Sequence, residues 1–151
     1  NAETASWRQL IVAPAMPKAF FAQTKDNPGK KASSLYHIES IGIAPTSPQV
    51  LFVAAGTSTS EPGTLLRSRD AGASFEVTNL RVPIAGNAEY RTSERISVHP
   101  AAAIVLYGSR TEGLWRSADG GMNWTQIPTD QIPIADPIDK HEVGVLKVLF
   151  D

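Results

Sequence analysis

The chain has 151 residues, a net charge of −1 at pH 7 and no cysteine. Near-neutral charge excludes an electrostatically driven nucleic-acid binder or an anionic-membrane binder, and no apolar run approaches the ~18 residues of a helical membrane span. Without cysteine there is no disulfide framework and no thiolate metal centre, although cysteine content leaves the compartment open.

Glycine and proline are both frequent, at 11 each, and the apolar stretches are short and rich in Val, Ile, Leu and Tyr. No stretch keeps a helical apolar period for three turns, so an all-β chain is expected. Asn1 opens no secretory leader, a state that a trimmed chain shares. In chain order, Ser6-Trp7-Arg8-Gln9-Leu10 matches Asn123-Trp124-Thr125-Gln126-Ile127. Residues 1–34 therefore read as the last strand of a preceding unit and a long loop. Lys25, Lys30 and Lys31 surround Asn27-Pro28-Gly29 in that loop and read as a solvated surface.

Residues 35–80 and 81–128 are two copies of one pattern. The first runs Ser40-Ile41-Gly42-Ile43-Ala44-Pro45, then Gln49–Gly56, then Gly63–Phe75; the second runs Arg95–Pro100, Ala103–Ser109 and Gly113–Trp124. Pro45 and Pro100 are 55 positions apart, Asp70 and Asp119 only 49, and the difference falls in one loop, Gly56–Gly63 against Ser109–Gly113. Each copy predicts four short strands: Ser40–Ala44, Gln49–Ala54, Thr64–Ser68 and one from Phe75; then Arg95–Val98, Ile104–Gly108, Gly113–Ser117 and one from Trp124. Four antiparallel strands in a repeat of roughly 40–50 residues describe a β-propeller blade. Residues 129–151 read as a linker and, from Gly144, the first strand of a further blade. Two whole blades with two partial ones predict a piece of a longer propeller chain, whose remaining blades are the partner of these.

Each copy carries Ser-x-Asp-x-Gly-x-x-aromatic, the Asp box: Ser68, Asp70, Gly72, Phe75, and Ser117, Asp119, Gly121, Trp124. A short carboxylate accepts backbone N–H groups just ahead of it, Gly allows positive φ, and the aromatic folds over the turn. Asp70 and Asp119 are thus expected to hold hairpins rather than to catalyse, on the face opposite the loops that meet ligand in propellers.

Further segments resemble glycoside hydrolase family 74. Gly86-Asn87-Ala88-Glu89-Tyr90-Arg91-Thr92-Ser93-Glu94-Arg95-Ile96-Ser97-Val98-His99-Pro100 is similar to a family stretch that has Gly where this chain has Ser93 and Asp where it has His99. Leu35-Tyr36-His37-Ile38-Glu39-Ser40-Ile41 and Leu106–Arg110 with Gly113–Ser117 look like neighbouring family segments. The resemblance covers most of residues 35–127. It implies a partial propeller from a seven-bladed parent, the N-terminal of two, with a sugar cleft between them. It also implies inverting hydrolysis of the β-1,4-glucan backbone of xyloglucan in a secreted, extracellular or periplasmic setting. Inversion needs an acid and a base roughly 6.5–9.5 Å apart. In the family these are aspartates, one per propeller. The first lies in an Asp-Xaa-Gly-Gly motif upstream of the strand matching Trp7, so neither falls within this chain, and the 151 residues alone are expected to be inactive.

The expected substrate contacts lie in loops entering each first strand and joining strands two and three: Tyr36, His37, Glu39, Tyr90, Arg91, Glu94, Arg95, Arg110 and His141. Aromatic faces stack on sugars, and Arg and carboxylates bond hydroxyls. Each has a structural alternative. Glu39 and Glu94 are equivalent positions, as are Ser40 and Arg95, which favours an ion pair between adjacent blades. Tyr36 and Tyr90 could serve as core caps, and Trp115 reads as core. His37, His99 and His141 lack metal-ligand spacing, so no metal and no cofactor are expected. The alternatives to a xyloglucanase-like enzyme are a non-catalytic Asp-box propeller that binds glycan or protein, and an Asp-box sialidase. The latter is disfavoured because the chain has only scattered candidates for its arginine cluster and Tyr nucleophile.

Overall fold

A computed structural model describes residues 37–56, 58–84, 94–132, 144–145 and 147–150. Among these described residues nine strands follow in order: β1 (His37–Ile43), β2 (Leu51–Gly56), β3 (Ser58–Ser68), β4 (Glu76–Val77), β5 (Val82–Ile84), β6 (Ile96–Val98), β7 (Val105–Gly108), β8 (Leu114–Ser117) and β9 (Thr125–Gln126). They form two antiparallel meanders, β1-β2-β3-β4 and β6-β7-β8-β9, with β5 added to β3. The chain is all-β, and the two meanders are the two blades that the repeat predicts. Among the described residues, no helix is long and apolar enough to cross a membrane.

Why β2 reads as an unbroken apolar run follows from its burial on both faces. All six residues of β2 are buried. Side chains alternate across a strand, so β2 feeds two cores. Phe52 and Ala54 join Leu65, Ile96, Val105, Tyr107 and Trp124 in the core between the blades. Leu51, Val53 and Ala55 join Leu66 and Phe75 on the other face. Each large side chain fully withdrawn from water in this way stabilises by about 1.5–3 kcal/mol.

The register places Gly42, Phe52, Arg67 and Glu76 in one row across the first blade. This row meets the second blade. Arg67 Nη1 donates to Gly120 O at 2.8 Å, and Asn79 joins the blades three times more, its Oδ1 accepting from Trp124 N at 2.8 Å, its N–H donating to Met122 O at 3.0 Å and its Nδ2 donating to Asn123 Oδ1 at 3.3 Å. On the opposite row, Ile41 and Ile43 are exposed.

Two details depart from the sequence reading. The stretch Gly56–Gly63, expected as a loop, is largely strand: β3 begins at Ser58 and pairs there with β5. The strand β5 was not expected. It is three residues long with a central proline, and only pairing with the β3 extension gives its backbone partners. The second departure is a bulge in β1. Ile38 pairs with Ala55 and Ser40 with Ala54, which leaves Glu39 as the extra residue.

Candidate functional site

The two ends of the blades are chemically different. At one end lie the Asp-box turns, held beside the first-to-second strand turns by Ala71 N to Gln49 O and Gly120 N to Ala103 O, both 2.9 Å. Ser68 Oγ donates to Asp70 Oδ1 (2.8 Å) and accepts from Gly72 N (2.8 Å), while Ser74 donates to both carboxylate oxygens, N to Oδ1 at 2.8 Å and Oγ to Oδ2 at 2.6 Å. The second turn repeats this, with Asn123 in place of Ser74: N to Asp119 Oδ1 at 3.0 Å and Nδ2 to Oδ2 at 2.6 Å. Trp124 Nε1 caps its turn on Gly121 O at 2.9 Å. The hydrogen bonds from Ser74 and then Ser68 hold the Asp70 carboxyl down at about 2, and those from Asn123 and then Ser117 depress Asp119 as well. Both carboxylates are committed to their turns.

His99 has a similar task at this end. Its Nδ1 accepts from Ala101 N and Ala102 N, both at 3.0 Å. Imidazole here does what an Asp carboxylate does in an Asx turn. The edge of Phe150 packs on its ring, with centroids 4.9 Å apart. His99 lines a groove of about 560 Å³ between the blades, floored by Ala44, Val50, Phe52, Val98 and Val105.

The opposite end gathers charge. The bulge turns Glu39 toward the second blade, where it is buried against two hydrogen-bond donors and a third, cationic partner from that blade. Arg110 Nε donates to Glu39 Oε1, and the Tyr107 hydroxyl reaches Oε2 at 3.3 Å. Arg95 Nε lies 3.0 Å from Oε1, at an angle that makes it a charge contact rather than a hydrogen bond. The Arg95 guanidinium is fixed from its other side, Nη1 donating to Val145 O at 2.6 Å and to Gly108 O at 3.3 Å. Its backbone N–H bonds Ser40 Oγ at 3.0 Å. Burial lowers the Arg95 pKa, opposed by the Glu39 charge beside it. Burial, then the Glu39 charge, pushes the Tyr107 phenol well above its ordinary value, so it stays a neutral donor.

Of the expected contact residues, the structure therefore brings together Glu39, Arg95 and Arg110. The side chains of Glu39 and Arg95 are 0% and 1% exposed, that of Arg110 14%. Glu94 stands apart, exposed, with its carboxylate 2.6 Å from Lys147 Nζ. His37 opens β1 opposite Gly56. Tyr36, Tyr90, Arg91 and His141 lie outside the described residues. Tyr107 was missed by sequence reasoning; the available signal was a strand tyrosine three positions before Arg110, whose buried hydroxyl must find a partner. Trp115 packs against the inter-blade core. Among the described residues, no three His, Cys, Asp or Glu side chains converge as a metal site.

No protein-family model matches the chain. Among curated proteins it is 37% identical over 131 residues to "Xyloglucanase Xgh74A" of Acetivibrio thermocellus, which covers 78% of this chain and 16% of that protein. It is 33% identical over 129 residues to a xyloglucanase of Hypocrea jecorina, covering 76% and 15%. Among solved structures it is similar to the GH74 xyloglucanase of Xanthomonas campestris, with a TM-score of 0.52 and 33% identity over 59% of this chain and 13% of that one. A GH74 enzyme of Niastella koreensis gives 0.51 and 27%, over 58% and 14%. The chain spans about one-sixth of the length of the first of these relatives, 16%. With matching sequence and matching blades, the chain belongs to glycoside hydrolase family 74, as part of its β-propeller.

Proposed function

We propose that this chain is part of a secreted glycoside hydrolase that cleaves the β-1,4-glucan backbone of xyloglucan with inversion, and that its two blades belong to the N-terminal propeller. The similarity to proteins named xyloglucanase over 78% of the chain is the observation that carries this reading. In it, the end bearing Glu39, Arg95 and Arg110 faces the sugar cleft, while the Asp-box end keeps the blades in register. Four of the described carboxylates fit a supporting role. Asp70 and Asp119 are spent on their turns, Glu39 is enclosed by donors, and Glu94 is paired with Lys147. Inverting hydrolysis needs one carboxyl to protonate the leaving oxygen while another activates water on the opposite face of the sugar. Both of those groups are supplied by other parts of the enzyme, and this segment alone releases no sugar.

The test is the anomeric configuration of the first products released from xyloglucan by the full-length protein, followed by proton NMR. New ends appearing first as α-anomers support the reading. Ends appearing first as β-anomers overturn inversion, and absence of product overturns the reading as a whole.

A further inference from the structure

A buried carboxylate enclosed by two guanidiniums and a phenol is poor evidence for stability. Withdrawing such charges from water costs about as much as their attraction returns, and well-packed apolar residues often do as well. Three observations on this cluster point to a task beyond packing. First, Glu39 is the extra residue of a β-bulge, and bulges re-aim single side chains beside functional sites. In regular alternation it would share a face with Ile41 and point away from the second blade. Second, the cluster bridges two blades, with Glu39 on β1 and its partners Arg95 just before β6, Tyr107 on β7 and Arg110 in the β7–β8 loop. Third, one member reaches the surface. The Arg110 side chain is 14% exposed, against 1% for Arg95, 0% for Glu39 and 0% for the Tyr107 residue. It does so at the end opposite the Asp-box turns.

We propose that Arg110 contacts the glycan and that Glu39 is its positioning residue, one blade fixing the guanidinium that the next blade presents to oxygen acceptors of the sugar. A guanidinium carries only donors, in a rigid planar fork, so it selects hydroxyl and ring oxygens once its Nε is anchored. Anchoring by Glu39 removes the rotamer entropy that a free arginine loses on binding. Tyr107 and Arg95 hold the carboxylate itself in place. This deepens the xyloglucanase reading and rests on it.

The experiment measures KM and kcat of the full-length protein on xyloglucan oligosaccharides for Arg110→Ala, Arg110→Lys, Glu39→Gln and the Arg110→Ala/Glu39→Gln double variant, with thermal midpoints alongside. Arg110→Ala is expected to raise KM about tenfold, the loss of one charge-assisted hydrogen bond, with kcat within about twofold. Arg110→Lys keeps the charge without the fork and recovers only part of the loss. Glu39→Gln raises KM in the wild-type background and adds nothing once Arg110 is alanine, because a positioning residue has nothing left to position. An unchanged KM in Arg110→Ala, or a Glu39→Gln effect that persists undiminished in the double variant, overturns the proposal. If Glu39→Gln fails to fold, the Arg110 pair alone decides. If the wild type releases no sugar, the xyloglucanase reading has failed, and calorimetric titration with the same oligosaccharides decides this inference: a tenfold weaker affinity for Arg110→Ala supports it, and equal or absent binding overturns it.

Discussion

Alanine at Gly121 is strained twice. The residue has φ of +90°, and an added Cβ would lie 2.2 Å from Phe52 Cε1 and 2.7 Å from its Cζ. Phe52 is 1% exposed and packed in the inter-blade core. The neighbouring Gly120 has φ of +73°, but its nearest contact is Arg67 Nη1 at 3.7 Å. Gly120→Ala therefore meets only left-handed strain, about 1–2 kcal/mol. Gly121→Ala adds overpacking of about 1–3 kcal/mol, for about 2–5 kcal/mol in all. Equilibrium urea denaturation followed by tryptophan fluorescence measures both, since Trp124 is bonded to Gly121 O. Phe52→Leu should open space and bring the Gly121→Ala penalty down toward that of Gly120→Ala, a coupling that a double-mutant cycle reads directly. If Gly121→Ala is no worse than Gly120→Ala, or if Phe52→Leu gives no relief, the inter-blade packing described above is wrong.

Further outcomes follow from the two turn systems. The Asp70 and Asp119 carboxyls are depressed in the folded chain relative to the ordinary 3.8, Asp70 to about 2. Their contribution is thus present above about pH 4 and is lost as pH falls toward the folded values. Thermal midpoints should drop between about pH 4 and 2, and Asp70→Asn with Asp119→Asn should flatten that slope; an unaltered slope contradicts the assignment. His99→Ala deletes an acceptor of two exposed backbone N–H groups and should destabilise by about 0.5–1.5 kcal/mol in urea titrations. His99→Asp, the residue that the family pattern carries there, should stay close to wild type, and equal losses in both variants would exclude a turn-capping role.

The strands were legible in the sequence because the repeat sets them out twice. A Pro after each first strand and an Asp-Gly turn after each third mark the strand ends, and each turn aromatic sits immediately before its fourth strand, Phe75 before β4 and Trp124 before β9. What stayed hidden depends on pairing between distant residues. The three-residue β5 carries no periodic signal, and its existence depends on β3 extending to meet it. The bulge at Glu39 is a mismatch of register between β1 and β2, so neither strand shows it alone. For the same reason, alternation along β1 places Glu39 on the wrong face, and Tyr107 reads as an ordinary strand residue until Glu39 is turned toward it. The equivalence of Ser40 and Arg95 across the repeat was visible, whereas the bond between them, Arg95 N to Ser40 Oγ at 3.0 Å, needed the blades to be stacked.

The xyloglucanase assignment is tested most directly by reducing-sugar release from purified xyloglucan and from unbranched β-1,4-glucan, using the full-length protein and the 151-residue chain side by side. Release from xyloglucan by the full-length protein, little from the unbranched glucan and none by the chain alone is the predicted result. No release from either glucan by a folded full-length protein would contradict it.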